Sequence, residues 1–237
     1  PSLALACGGG ACTDAGDGQL QLDASLRLRG MYYDPTRFGI GESKDGYGLL
    51  RALASARYRQ DNWQAMLQLG AHAEEGKAGG PGKTDRGALD SQQAYWRWEN
   101  NGMHVQLGRQ EAGYGSSRLL SVRDGPNIRL AFDGARVGWN GRLGTLDLMA
   151  LRAVENRPGA FDDRGEQGAH LWGAYATTAR GHGPGQWDPY LPDYRREAGR
   201  FAAGRGLARR QPPGARWVGP AGGPDREERR CARGGRV

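Results

Sequence analysis

Apolar and polar residues alternate along much of this chain with a period of two. Between Gln19 and Arg29, Leu20, Leu22, Ala24, Leu26 and Leu28 share one parity, and Gln19, Gln21, Asp23, Ser25, Arg27 and Arg29 share the other. Successive side chains of a strand point to opposite faces, so this segment predicts a strand with one apolar and one wet face. The pattern recurs in Leu50–Arg59, where Leu53 breaks it, and in Trp63–Leu69 and Ser91–Glu99. It continues in Met103–Leu107, Ala135–Trp139 and Thr145–Leu151, the last with Met149 and Leu151 as exceptions. An eighth strand is expected near His170–Thr178, with its facing undecided.

The connections alternate as strictly as the strands. Gln60-Asp61-Asn62, Asn100-Asn101-Gly102 and Asn140-Gly141 are tight-turn sequences, because Asn and Gly tolerate the positive φ of short hairpins. Between them lie long connections, at about residues 30–48, 71–90, 111–129 and 155–169. Short turns at one end and long loops at the other are the habit of outer-membrane barrels, and a β-sandwich has no reason to adopt it. Tyr58, Trp63, Trp98 and Trp139 each fall within two residues of a short turn, on the apolar parity. Such rings suit a membrane interface, with an apolar body in lipid and a polar tip in water.

Composition narrows the choice. Apolar residues make up 38 % of the 237, below the ~45–50 % of soluble domains, and glycine is over-represented at 41 residues. There is little here for a dense core, which a barrel does not need. No run approaches the ~20 apolar residues of a transmembrane helix, and a closed barrel is the other structure that lipid permits. The expected class is therefore all-β: an antiparallel transmembrane barrel of the outer-membrane type. About eight or more strands of a larger, incomplete barrel are legible, followed by an irregular C-terminal tail.

Three segments follow. Residues 1–18 read as a signal-peptide remnant and loose N-terminus, with Ala4-Leu5-Ala6 as an A-x-A cleavage site. A lipoprotein reading at Cys7 lacks the leucine that motif wants. Residues 19–178 are the N-terminal part of the barrel. Residues 179–237, rich in Pro, Arg and Gly, read as a degraded continuation, a frameshifted stretch or a disordered basic tail. The formal charge of +7 sits almost wholly in that tail, so it marks no nucleic-acid-binding face. Cys7, Cys12 and Cys231 form no metal-type cluster.

Several motifs carry a family resemblance. Leu107-Gly108-Arg109-Gln110-Glu111, then Arg118 to Arg129 (containing Ser121-Val122-Arg123-Asp124-Gly125-Pro126-Asn127), then Phe132-Asp133-Gly134, are similar to the alginate-export porins. Pro158 to Asp163 and Leu171 to Thr177 continue the likeness, which fades after Thr178. The resemblance implies a monomeric, many-stranded outer-membrane barrel. It implies export of an anionic or polar solute, such as alginate or another uronate or organic acid, past an arginine- and lysine-rich constriction.

The chemistry read from the residues agrees with a channel rather than an enzyme. His72, His104, His170 and His182 are scattered, and no Ser/His/Asp grouping stands out. Asp162-Asp163 reads as a solvated loop element, because adjacent side chains on an extended chain point apart. Gly113-Tyr114-Gly115 lacks the Lys-Ser/Thr of a phosphate loop. No catalytic residue, metal site or cofactor is expected. Arg27, Arg29, Arg51, Arg57, Arg59, Arg97 and Arg136 all take the wet, lumen-facing parity; singled out as candidates are Arg27, Arg57, Arg97 and Arg136 among them, with Arg109, Arg118, Arg123 and Arg129 in or beside the long loop. Fixed positive charge in a pore lowers the barrier to anions, and a guanidinium forks two hydrogen bonds to one carboxylate. Against this, Asp23, Asp147 and Glu111 can neutralise several of them in salt-bridge ladders. The expected partners are outer-membrane lipid and an anionic polysaccharide or organic acid, with no nucleic acid. A barrel enzyme and a soluble carbohydrate-binding sandwich are the competing readings.

Overall fold

The computed structural model describes residues 2–15, 17–33, 45–115, 119–179, 185–201, 204–211 and 213–219. It contains strands and no helix among these residues. In chain order they are β1 (Ser2–Ala15), β2 (Gly18–Tyr33), β3 (Asp45–Gln60), β4 (Trp63–Glu75), β5 (Gly87–Asn100) and β6 (Met103–Gln110). Then come β7 (Phe132–Gly141), β8 (Gly144–Glu155), the two-residue β9 (Arg164–Gly165) and β10 (Ala169–Thr178). The series ends with β11 (Gln186–Phe201), β12 (Gly204–Arg210) and β13 (Gly214–Val218). All belong to one antiparallel meander in which each main strand pairs with the next in sequence. A sandwich would need two packed sheets, and the described residues form one.

The connections fall where the sequence pattern put them, with one shift. Asp61-Asn62 links β3 to β4, and Asn101-Gly102 links β5 to β6. Asn101 (φ 47°) and Gly102 (φ 79°) both lie in the left-handed region, the signature of a type I′ hairpin turn. The third tight turn is Arg142-Leu143, not Asn140-Gly141, because Asn140 pairs with Thr145 and Gly141 with Gly144. Strand direction alternates along a meander, so these three turns share one end of the sheet. The long connections 34–44, 76–86, 111–131 and 156–168 share the other.

Two faces result. Leu22, Leu26, Leu28, Leu67, Trp96, Leu107, Leu146, Leu148 and Trp172 form an exposed apolar outer face. The aromatic row at the short-turn end contains Tyr58, Trp63, Trp98 and Trp139, the last 62 % exposed. Trp63 is the cross-strand partner of Trp98, and its ring lies 5.4 Å from that of Tyr58. The tail extends the row, since Trp187 on β11 pairs with Trp217 on β13 at the same end. The inner face carries the loop spanning residues 111–131 and a buried apolar cluster of Ala112, Tyr114, Phe132, Met149, Leu151, Leu171 and Tyr175.

Both ends of the described chain are strands. The signal-like segment lies along β2 as β1, with Ser2 opposite Met31 and Ala15 opposite Gly18. At the other end, β12 and β13 continue one another against β11, sharing one register on either side of the break, as Tyr194↔Arg210 and Tyr190↔Gly214 show; β12 shifts register between Arg196 and Gly199. The break falls at Gln211-Pro212-Pro213, where proline supplies no ladder donor. Residues 221–237, the most irregular part of the expected tail, lie outside the described residues, as does His182. Among the described residues β1 does not pair with β12 or β13, so the sheet is open, consistent with a section of a larger barrel.

Candidate solute path on the inner face

The loop between β6 and β7 is held by arginines of β2 and β3. Arg27, Arg29 and Arg51 have the inward parity, and all three reach its tip, Asp124-Gly125-Pro126-Asn127. Arg27 donates to the Asp124 carbonyl (2.8 Å) and the Pro126 carbonyl (3.0 Å). Arg29 donates to the Gly125 carbonyl. Arg51 is buried, donating through Nε to the Asn127 carbonyl (2.7 Å) and through Nη1 to Asp124 Oδ1 (2.6 Å). A glycine-proline turn presents several carbonyls to one side, and guanidinium forks suit such a set of acceptors. Asn127 completes the seat. Fully buried, its Nδ2 donates to the carbonyls of Leu50 (2.9 Å), Ala73 (3.2 Å) and Asp85 (2.9 Å), tying the loop to β3, β4 and the preceding loop.

The electrostatics favour an ionised tip. Burial raises the Asp124 carboxyl, but the Arg51 hydrogen bond and the charges of Arg51, Arg27 and Arg129 outweigh it and hold it below the usual carboxylate range. On the return limb of the loop, Arg129 lies 3.0 Å from Glu111, and Gln92 donates to both Glu111 and the Arg129 carbonyl (3.0 Å each).

Below the loop, toward the short turns, three more arginines line the inner face. Arg57 donates to Gln21 (3.4 Å) and Arg136 stacks 5.3 Å over the Tyr114 ring; neither makes an ion pair among the described residues. Arg97 is neutralised by Glu99 (2.9 Å). Gln106 lies between Arg97 and Arg136 in the ladder and accepts from Arg97. In the same region His104 on β6 reaches Asp147 on β8 (3.1 Å) across Gly138 of β7, whose missing side chain leaves room for the pair.

The eight predicted arginines therefore divide. Arg27 and Arg129 hold the loop, and Arg57, Arg97 and Arg136 line the wall. Arg123 is exposed on the loop at a positive φ of 54°. Arg118 lies outside the described residues. Arg109 flanks the loop at the end of β6, as expected, but does not face inward. It pairs with Ala94 and Asp133, on the face of Leu107, opposite the inner arginines. There it forks onto Asp133 (2.8 and 3.1 Å) and also contacts Asp90 (3.3 Å). Arg29 and Arg51 share the wet parity of the candidates, and nothing in the sequence says that they, rather than Arg109, meet the loop.

The reading of Asp162-Asp163 as side chains pointing apart is also corrected. Phe161, at φ 52°, turns the chain so that Asp90, Asp162 and Asp163 bring carboxylate oxygens within 4.8 Å of one another. Backbone donors use them: Arg157 N on Asp163 (2.6 Å), Gly159 N on Asp162 (3.2 Å) and Asp163 N on Asp90 (2.9 Å). The trio pins the β8–β10 loop to the end of β5.

A one-sheet antiparallel meander with an apolar outer face, an aromatic row at the short-turn end and a loop folded onto a cationic inner face is consistent with the wall of an outer-membrane barrel. The alginate export family model matches residues 18–229, most of the chain, and the chain belongs to that family, an outer-membrane transport-porin family. The match continues well past Thr178, where the motif likeness fades. No curated protein and no solved structure matches the chain.

Proposed function

We propose that this chain forms part of an outer-membrane export channel for an anionic solute, a uronate polymer such as alginate or a related organic acid. It acts by charge and shape and catalyses no reaction. The observation that carries the reading is the convergence of Arg27, Arg29 and Arg51 on the inward-folded loop, with Arg57, Arg97 and Arg136 on the same face below it. The loop narrows the path, and guanidiniums without carboxylate partners supply the anion preference. In this reading the outer face meets lipid, the barrel is monomeric, and nucleic acid is no partner.

Reversal potentials across planar bilayers test it. The open pore is expected to prefer anions at low salt and to lose the preference as the Debye length shrinks from ~30 Å at 0.01 M to ~3 Å at 1 M. Exchanging Arg57 and Arg136 together for Ser should reduce the preference while the barrel still assembles, because lumenal changes act more on selectivity than on stability. Arg109→Ser should leave selectivity unchanged, since Arg109 lies on the other face. A cation-selective pore, or selectivity indifferent to the double exchange, would sink the anion mechanism.

A further inference from the structure

One stretch of the inner face is not built like a path for a polar polymer. Between the loop and strands β8, β10, β11 and β12 lies a cavity of about 500 Å³. That is within the ~300–1,000 Å³ range of small-molecule sites. Its walls are mainly apolar: Leu120 and Leu130 from the loop, Met149 and Leu171 from the strands, and Tyr194 opposite. A water-filled pore has no need of such a surface. These walls belong to the apolar cluster that anchors the loop: Met149 and Leu171 are members of it and Leu120, Leu130 and Tyr194 pack against it, and the cavity is space that this packing leaves unfilled.

The fixed charges at the cavity, beside the neutral polar groups of His170 and Tyr194, have one sign. Arg123, Arg196 and Arg210 line it, and no carboxylate does. Arg196 is paired with Glu166. Arg123 and Arg210 make no ion pair among the described residues. Arg123 takes up its place from a left-handed backbone conformation that few non-glycine residues adopt, a cost tolerated where surrounding structure or function requires it.

We propose that this cavity is a second, lumenal binding site for a monocarboxylate with an apolar body, of the size of a medium-chain alkanoate. The body would lie against Met149, Leu171 and Tyr194, and the carboxylate would meet Arg123 and Arg210. The exposed guanidiniums of Arg123 and Arg210 offer a carboxylate charge-assisted hydrogen bonds that an uncharged molecule cannot accept equally well, and a uronate would bury its hydroxyls against Leu and Met without partners. The site is independent of the arginines that hold the loop tip.

Equilibrium binding of radiolabelled decanoate to the full chain in phosphatidylcholine nanodiscs, with empty nanodiscs as background, tests the proposal. One saturable site per chain is expected, with decanol and glucuronate each competing at least ten-fold more weakly than unlabelled decanoate. Arg123→Gln with Arg210→Gln should raise the Kd at least ten-fold, and the corresponding double Lys variant should restore most of the affinity. Absence of saturable binding, equal competition by decanol or glucuronate, or a Kd unmoved by the Gln pair would each overturn it. Reversal potentials of the unaltered chain report the anion-channel reading separately, so either can fail alone.

Discussion

Asp163 shows how one carboxyl can make a loop sensitive to pH. Burial pushes its carboxyl up to about 6; the Arg157 backbone N–H and Arg109 oppose the rise, and Asp90 and Asp162 add to it. The folded state thus binds this proton more tightly than the unfolded chain does. Its stabilising contribution is full below the unfolded value of ~4 and is lost as pH climbs to about 6. Asp163→Asn keeps an acceptor for the Arg157 N–H and removes the charge. The variant's melting temperature relative to the parent should therefore rise between about pH 4 and about pH 7. A difference that is the same at both pH values would show that Asp163 does not titrate in this window. Asp124 runs the other way: its depressed carboxyl stabilises the loop at neutral pH and stops doing so in acid. The parities of Arg27, Arg57, Arg97 and Arg136 were legible residue by residue. The acidic trio was not, because Asp90 and Asp162 lie far apart in sequence and only the fold brings them together.

At the scale of elements, the breaks in alternation turn out to carry information. Met149 and Leu151 are apolar at wet-face positions of β8, and in the structure both lie in the buried cluster with Tyr114 and Ala112 of the loop. The sequence shows the irregularity, but a loop's landing place is a tertiary fact that no local period encodes. The same limit explains the third hairpin. Asn140-Gly141 has strong turn chemistry, yet two more ladder pairs form and the reversal moves to Arg142-Leu143. If the loop is a plug seated by charge at its tip and apolar contact along its limb, the two halves can be separated. Asp124→Asn keeps every backbone carbonyl that Arg27, Arg29 and Arg51 use, so the loop should stay docked while the inner face gains one net positive charge. Single-channel conductance should change little and anion preference should rise. A large conductance increase would show instead that the carboxylate alone holds the loop.

At the scale of the whole molecule, the proposed channel has its two faces in different media. A strand in lipid must pair every backbone group, and only a closed sheet does so, whereas the sheet of the described residues is open, consistent with a section of a larger barrel. Its order and its two faces were readable from the sequence, because period-two alternation and alternating loop lengths are local properties. Closure was not, because it depends on edges that no short pattern describes. The assignment of faces can be tested with one charge placed twice. Leu67 lies on the outer face between Ala56 and Ala94, 48 % exposed and within the apolar band. Ser55 is its near neighbour on β3, on the inner face opposite Asp23. Leu67→Arg is expected to cost ~2–4 kcal/mol near the bilayer midplane and to impair assembly. Ser55→Arg puts the same side chain into a wet space beside a carboxylate, and should fall within the ~0.5 kcal/mol typical of tolerated surface changes. The readout is the fraction of chain showing heat-modifiable migration after folding into lipid. If the inner variant fails and the outer one does not, the faces have been assigned the wrong way round and the arginines that hold the loop would point at lipid; if both assemble equally well, Leu67 does not meet lipid.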